Sequence, residues 1–240
     1  MQPTLVTDMQ VDLFSRRWGR LREQAAVRKV ITETALRLYV DNEHTTTFCC
    51  LNEFTEELAL GYLYTSGRID SLEAVSVVSG TQEELRLELT GVPPVPAELP
   101  PPEEGFGIAM SRVWRLMRVF VRRSAIFASS GGVHSALLCH DEFQLFNEDI
   151  GRHNCVDKIA GRLLGSGRLD NAAQAVLLTS GRVTVEIMTK LLRLGIPVLV
   201  SRTTPTAQAV SLARSRNITL LGYVRGSRAV VYAGRERITA

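Results

Sequence analysis

The sequence predicts a mixed α/β protein, α+β overall, with a small α+β unit over residues 1–104 and a layered α/β unit over residues 105–240. Three observations predict it. Six of the nine prolines fall between Pro93 and Pro102, a stretch that forms neither helix nor central strand and therefore reads as a linker. Ahead of it, strand-like segments surround one helical segment. Beyond it, short apolar runs alternate with helix-period segments, the mark of buried strands between helices.

Taken in order, Thr34–Val40, a turn at Asp41-Asn42, and Thr45–Cys50 read as a hairpin. A helix follows, with Asn52 as its expected cap and Glu56 and Glu57 at its positive end. Its Leu58, Ala59, Tyr62 and Leu63 recur at helical spacing, and it ends near Gly67. Thr81–Leu89, where Leu85, Leu87 and Leu89 alternate, is a further strand. Beyond the linker, Ser111–Arg123 sets Val113, Trp114, Met117, Phe120 and Val121 on one face and Arg112, Arg115, Arg118 and Arg122 largely elsewhere. It is an amphipathic helix whose basic face reads as solvated surface. Ala136–Cys139 is a strand, Asn154–Leu164 a helix, and Ala175–Thr179 a fully apolar strand. Val183–Leu194 is a helix stopped by Gly195, Ile196–Val200 a second buried strand, and Thr206–Arg216 a helix before strands Thr219–Val224 and Ala229–Tyr232. Sheets of this kind bind ligands in loops beyond their strand ends, which is where a site is expected.

Composition narrows the function classes. A net charge of +3 is too small to point to nucleic acid, and no stretch approaches the roughly 20 apolar residues of a membrane span. The N-terminus lacks the basic start and apolar run of a secretory signal, so a cytoplasmic address is expected. Cys49, Cys50, Cys139 and Cys155 match no disulfide framework and no zinc spacing. Lysine occurs only at Lys29, Lys158 and Lys190; arginine supplies the rest of the positive charge, and its planar fork suits phosphate. Base composition of a gene produces the same bias.

Three polar clusters, each read as following a strand, combine glycine with arginine or histidine. In Ser129–His134, Gly131 and Gly132 let backbone amides approach an anion, and His134 offers a hydrogen bond. Glu148–Lys158 packs Glu148, Asp149, Arg152, His153, Asp157 and Lys158 into one loop and helix start. Thr179–Arg182, with Ser180 and Arg182, joins a buried strand to a helix, where free amides and the helix dipole form an anion site. Each also has a plainer reading: a glycine turn, a self-satisfied ion cluster, and a helix cap, respectively. Three such loops on one scaffold point to one phosphorylated ligand.

These segments resemble the formate dehydrogenase accessory sulfurtransferases, the FdhD family. The resemblance is carried by Phe54–Tyr64, Gly131–His134, Glu148–Asn154 with Asp157-Lys158, Thr179–Arg182 with Glu186, and Gly195–Val200 before Pro205-Thr206. It runs from about Glu33 to the C-terminus, and Gly-Arg-His-Asn-x-x-Asp-Lys is its most specific string. The resemblance implies a C-terminal domain of cytidine-deaminase-like fold, a homodimer, and sulfur taken as persulfide from a cysteine desulfurase. That sulfur goes to the molybdenum of the bis(molybdopterin guanine dinucleotide) cofactor, bound as cargo before insertion into formate dehydrogenase. It also implies a cofactor-binding segment at Tyr223, Val224, Arg225, Gly226, Ser227 and Arg228, where two arginines flank a flexible glycine.

One departure bears on the chemistry. The family's sulfur relay is a Cys-Gly-Val-Cys-type motif, and here its cysteine places hold Phe106 and Ala109, neither of which accepts a persulfide. Cys155, in the first turn of an expected helix whose dipole lowers a thiol pKa, is the best remaining thiol, although a small buried role is its plainer reading. Zinc is not expected: His134 is followed by Ser135 and Ala136 rather than x-Glu, and no Pro-Cys-x-x-Cys occurs. The main expectation is therefore cofactor binding. The alternatives are a persulfide transferase using another cysteine, such as Cys155 or Cys49, and a nucleotide-binding regulatory module.

Overall fold

The computed structural model describes residues 4–91, 99, 101–102 and 105–239. Most of the expected proline-rich linker, residues 92–98 and 100, lies outside them. The chain opens with an antiparallel ribbon, β1 (Val6–Arg17) and β2 (Arg20–Ile31), to which sequence reading assigned nothing. Trp18 and Gly19 close it with φ of 53° and 76°, the two-residue turn whose twist suits a hairpin. Both faces are largely solvated, so no burial period marks it.

The hairpin expected next is β3 (Thr34–Val40) and β4 (Glu43–Cys50). With β5 (Val75–Gly80) and β6 (Glu84–Leu89) it makes a four-stranded sheet in the order β4-β3-β6-β5. Alternate residues Leu36, Leu38, Leu85 and Leu87 point into one core, which α1 (Thr55–Thr65) closes with Leu58, Ala59 and Leu63. Asn52 is not the cap of α1. Phe54 holds that position in left-handed backbone, φ 54°, with its ring under the Arg162 guanidinium at 4.7 Å.

A short parallel pair, β7 (Ile108–Ala109) with β14 (Ile238–Thr239), leads into α2 (Met110–Arg123) and α3 (Ala125–Ser130). The main sheet contains β8 (His134–Cys139), β9 (Gln144–Asp149), β10 (Val176–Thr179), β11 (Val198–Ser201), β12 (Thr219–Arg225) and β13 (Arg228–Ala233), in the order β13-β12-β11-β10-β8-β9. Its strands are apolar on both faces because both are covered. Leu138, Leu177, Leu199 and Leu220 pack under α4 (Arg152–Gly165), α5 (Val185–Leu194) and α6 (Ala207–Ser215). Leu137, Leu178, Val200 and Leu221 pack under α2. Val121, expected on the buried face of α2, is exposed.

The small sheet docks through α1 lying across α4. Gly61 and Gly161 permit it: a Cβ on Gly61 would enter the Asp157 carbonyl, and one on Gly161 the Glu57 carbonyl. Among the described residues no helix is long and apolar enough to cross a membrane.

Candidate functional site

β10, β11 and β12 run parallel, and β8, antiparallel to β10, begins where they end. His134, Ser180, Arg202 and Arg225 therefore gather at one sheet edge, where a cavity of about 540 Å³ opens. Gly131 and Gly132 line it, with Phe120, Val121 and Ser124 from the end of α2 and Phe127 from α3. Two sequence expectations change here. Gly131–His134 follow a helix, α3, and lead into β8, while Glu148 and Asp149 end a strand, β9, rather than lying in a loop. Glu148 is turned away to accept from Ser124 Oγ and, at 3.4 Å, from the Ile126 and Phe127 amides, so it caps α3.

The Ser135 amide donates to Ser180 Oγ at 2.9 Å, and His134 Nδ1 lies 3.3 Å from the same oxygen. Gly181 has no side chain to displace Arg152, whose Cδ would sit 3.0 Å from a Cβ there. Arg152 Nε is buried and donates to no described group. Burial first, then the charges of Arg152 and Arg182, hold His134 below its ordinary pKa. His153, held low chiefly by burial, has Nε2 3.2 Å from Glu186 Oε2 without hydrogen-bond alignment. Gly131, Gly132, His134 and Ser180 line the cavity, Arg152 and Arg182 lie near His134 without lining it, and among the described residues no carboxylate lines it.

The segment Tyr223–Arg228 divides. A bulge, with Tyr223 at φ 49° and its amide bonded to the Thr203 carbonyl at 2.9 Å, aims Arg225 into the cavity. Val224 and Gly226 face a neighbouring depression, whereas Ser227 and Arg228 are exposed at the turn and line neither. Sequence reading missed Arg202 and Thr203. They follow β11 as Ser180 follows β10, so the strand-end rule that marked one loop marks the other.

The rest of the Glu148–Lys158 string is structural. Asp149 pairs with Lys158 at 2.6 Å and accepts from the Leu51 and Gly151 amides and Asn154 Nδ2, while Lys158 Nζ donates to the Leu51 carbonyl. Asp157 accepts from Lys190 Nζ at 2.8 Å and Thr65 Oγ1 at 2.7 Å. These bonds tie β4 and α1 to α4 and α5.

Thiol activation fails. Cys155 is fully buried, its Sγ 3.4 Å from the Gly151 carbonyl, and burial pushes its pKa well above the ordinary value, overriding the dipole effect expected of a first-turn cysteine. Burial pushes Cys50 up to about 12 and Cys139 up to about 11. Cys49 is exposed, but a hydrogen bond to Glu33 and then the Glu33 charge hold its proton on. Phe106 packs on the α2-side core and Ala109 caps α2, roughly 16 Å along that helix from Phe120 at the cavity.

The model of the FdhD/NarQ family matches residues 92–239. The chain belongs to that family. It is 30% identical to the sulfur carrier protein FdhD of Listeria innocua serovar 6a, with 95% of this chain and 100% of that one covered. It is 32% identical to the sulfur carrier protein FdhD of Anaeromyxobacter dehalogenans strain 2CP-1, with 91% of each covered. A crystal structure assigned as a formate dehydrogenase accessory protein from Desulfotalea psychrophila superposes with a TM-score of 0.81 at 25% identity, covering 97% of this chain and 99% of that one. Family membership and the mixed α/β architecture thus agree with the sequence reading.

Proposed function

We propose that this FdhD/NarQ member binds the bis(molybdopterin guanine dinucleotide) form of the molybdenum cofactor as cargo and supports its sulfuration and insertion into formate dehydrogenase. Cargo binding rests on one observation: an arginine-edged cavity whose lining, among the described residues, contains no carboxylate, opened by Gly131 and Gly132 at the carboxyl ends of parallel strands. Arg202 and Arg225 in the lining, with Arg152 and Arg182 close to His134, supply forked donors to a diphosphate. His134, neutral at physiological pH, offers a hydrogen bond without further charge. The relatives' names and fold support formate dehydrogenase as the client; the family resemblance supports a homodimer and a cysteine desulfurase upstream.

In this reading the sulfur travels on a partner's thiol. A persulfide forms on a thiolate, and burial at Cys50, Cys139 and Cys155 and Glu33 beside Cys49 each raise the thiol pKa and so disfavour that form. The Arg152→Ala/Arg182→Ala double variant should lose roughly a hundredfold in calorimetric GDP affinity, from two charge-assisted contacts. Unchanged binding would overturn the cargo reading. Incubation with a cysteine desulfurase and cysteine should leave the intact mass unaltered. A reducible gain of one sulfur, lost in Cys49→Ser or Cys155→Ser, would restore the sulfurtransferase reading.

A further inference from the structure

Charge is unevenly divided along the chain. Residues 6–31, the ribbon, hold six cations against three carboxylates, whereas residues 32–91 hold eleven carboxylates against three arginines. The register sorts the ribbon further. Arg17 lies opposite Arg20 and Ser15 opposite Arg22, so Arg17, Arg20, Arg22 and Arg28 share one face with Met9 and Leu13. Among the described residues no carboxylate lies on that face: Asp8, Asp12 and Glu23 all belong to the other, whose Ile31 rests against Gly132. Arg17, Arg20 and Arg22 join no ion pair among the described residues.

A two-stranded ribbon is marginal in water by itself, and this one leaves Met9 51% and Leu13 39% exposed on its basic face, with Trp18 90% exposed at the turn. Tryptophan and arginine are the side chains that carry most binding energy at protein interfaces. A complement to this face exists on the chain itself. On the open side of the small sheet, away from the core under α1, a groove of about 330 Å³ is lined by Glu33 and Glu83 beside Ala35 and Thr47. Arg37, the one cation among its described lining residues, is already taken by Glu84 at 3.5 Å. Within one chain no ion pair among the described residues joins Glu33 or Glu83 to the ribbon's arginines.

We propose that the ribbon is an exchanged arm: its basic face docks in the Glu33 and Glu83 groove of a second copy of this chain, which returns the contact by two-fold symmetry. Two reciprocal contacts close a dimer, where a one-way contact would propagate into a fibre. Pairing of the two ribbons with each other is disfavoured, because it would set like charges face to face. The proposal rests on the homodimer reading and gives that homodimer its interface.

Sedimentation velocity of the full chain at micromolar concentration should show a dimer. Arg17→Glu/Arg20→Glu/Arg22→Glu and, separately, Glu33→Arg/Glu83→Arg each set like charges across both contacts and should raise the dimer's Kd about a hundredfold or more. An equimolar mixture of the two variants restores opposite charges at both contacts and should recover the dimer, which misfolded chains would not do. An unchanged Kd in either variant alone, or a mixture that stays monomeric beside a dimeric wild type, overturns this interface and leaves the homodimer standing. A monomeric wild type overturns both, and its flotation with phosphatidylglycerol vesicles would assign the ribbon to an anionic lipid surface instead.

Discussion

The eleven residues Glu148–Lys158 serve two regions built on opposite principles. Asp149, Asp157 and Lys158 turn inward, where every charge meets a partner, Asp149 with Lys158 and Asp157 with Lys190 and Thr65, and Asn154 donates to the Cys49 carbonyl. Arg152 Nε is buried with no partner among the described residues, and His153 Nε2 has only Glu186 at 3.2 Å without hydrogen-bond alignment. A satisfied buried charge holds two parts of a fold in register; an unsatisfied one beside a cavity is poised for something the chain lacks. The difference separates architecture from binding in a stretch where sequence mixes them residue by residue.

The largest effect should come from the packed region. Gly61→Ala or Gly161→Ala drives a methyl into a backbone carbonyl of the facing helix, with no flexible side chain to yield. A loss of about 3 kcal/mol or more in urea unfolding is expected, or failure to fold. Stability within about 0.5 kcal/mol of the parent would show that the α1–α4 crossing is looser than described.

Next come the buried pairs. Lys190→Met strands Asp157, a carboxyl that burial already pushes above its ordinary range, and should cost about 3–5 kcal/mol. Lys190→Met with Asp157→Leu should recover most of it, because the pair holds geometry more than it adds stability. A double variant as unstable as the single would contradict that division.

The cavity should behave in the opposite sense. Arg152→Ala with Arg182→Ala should leave the unfolding midpoint unchanged or slightly raised, since neither side chain has an acidic partner among the described residues and the two carry like charge. A marked destabilisation would make them structural.

The smallest effect is the pH response. His134 and His153 both titrate below the ordinary 6.5 in the folded protein, so an unfolded chain takes up their protons first. Stability present above pH 6.5 is therefore lost as pH falls from there through the folded values. Melting at about pH 7.5 and about pH 5.5 should show the fall in wild type and less of it in His134→Gln, with added phosphate opposing it. An identical fall in His134→Gln would assign the response elsewhere.

The contrast also explains what was legible in the sequence. Buried strands such as β10 and β11 announced themselves because both faces are covered, and Gly195 stopped α5 in left-handed backbone as its type requires. The ribbon β1–β2 stayed invisible because solvent on both faces imposes no alternation. β9 was hidden because Glu148 and Asp149 look like loop residues until their partners, α3 amides and Lys158, are seen in three dimensions. The glycine-and-arginine loops singled out by local chemistry bring Gly131, His134 and Ser180 to one cavity, with Arg152 near His134. Arg202 follows β11 by the same strand-end rule but carries no glycine beside it to draw attention, and the bulge at Tyr223 turns Arg225 into the cavity while Arg228 lies exposed at the turn.

Native mass spectrometry of the protein isolated from a molybdenum-using host tests the central claim most directly. Wild type should carry the mass of a guanine-nucleotide pterin, and the Arg152→Ala/Arg182→Ala variant should carry none. Wild type at the bare chain mass, or both proteins carrying the same ligand, would contradict the account.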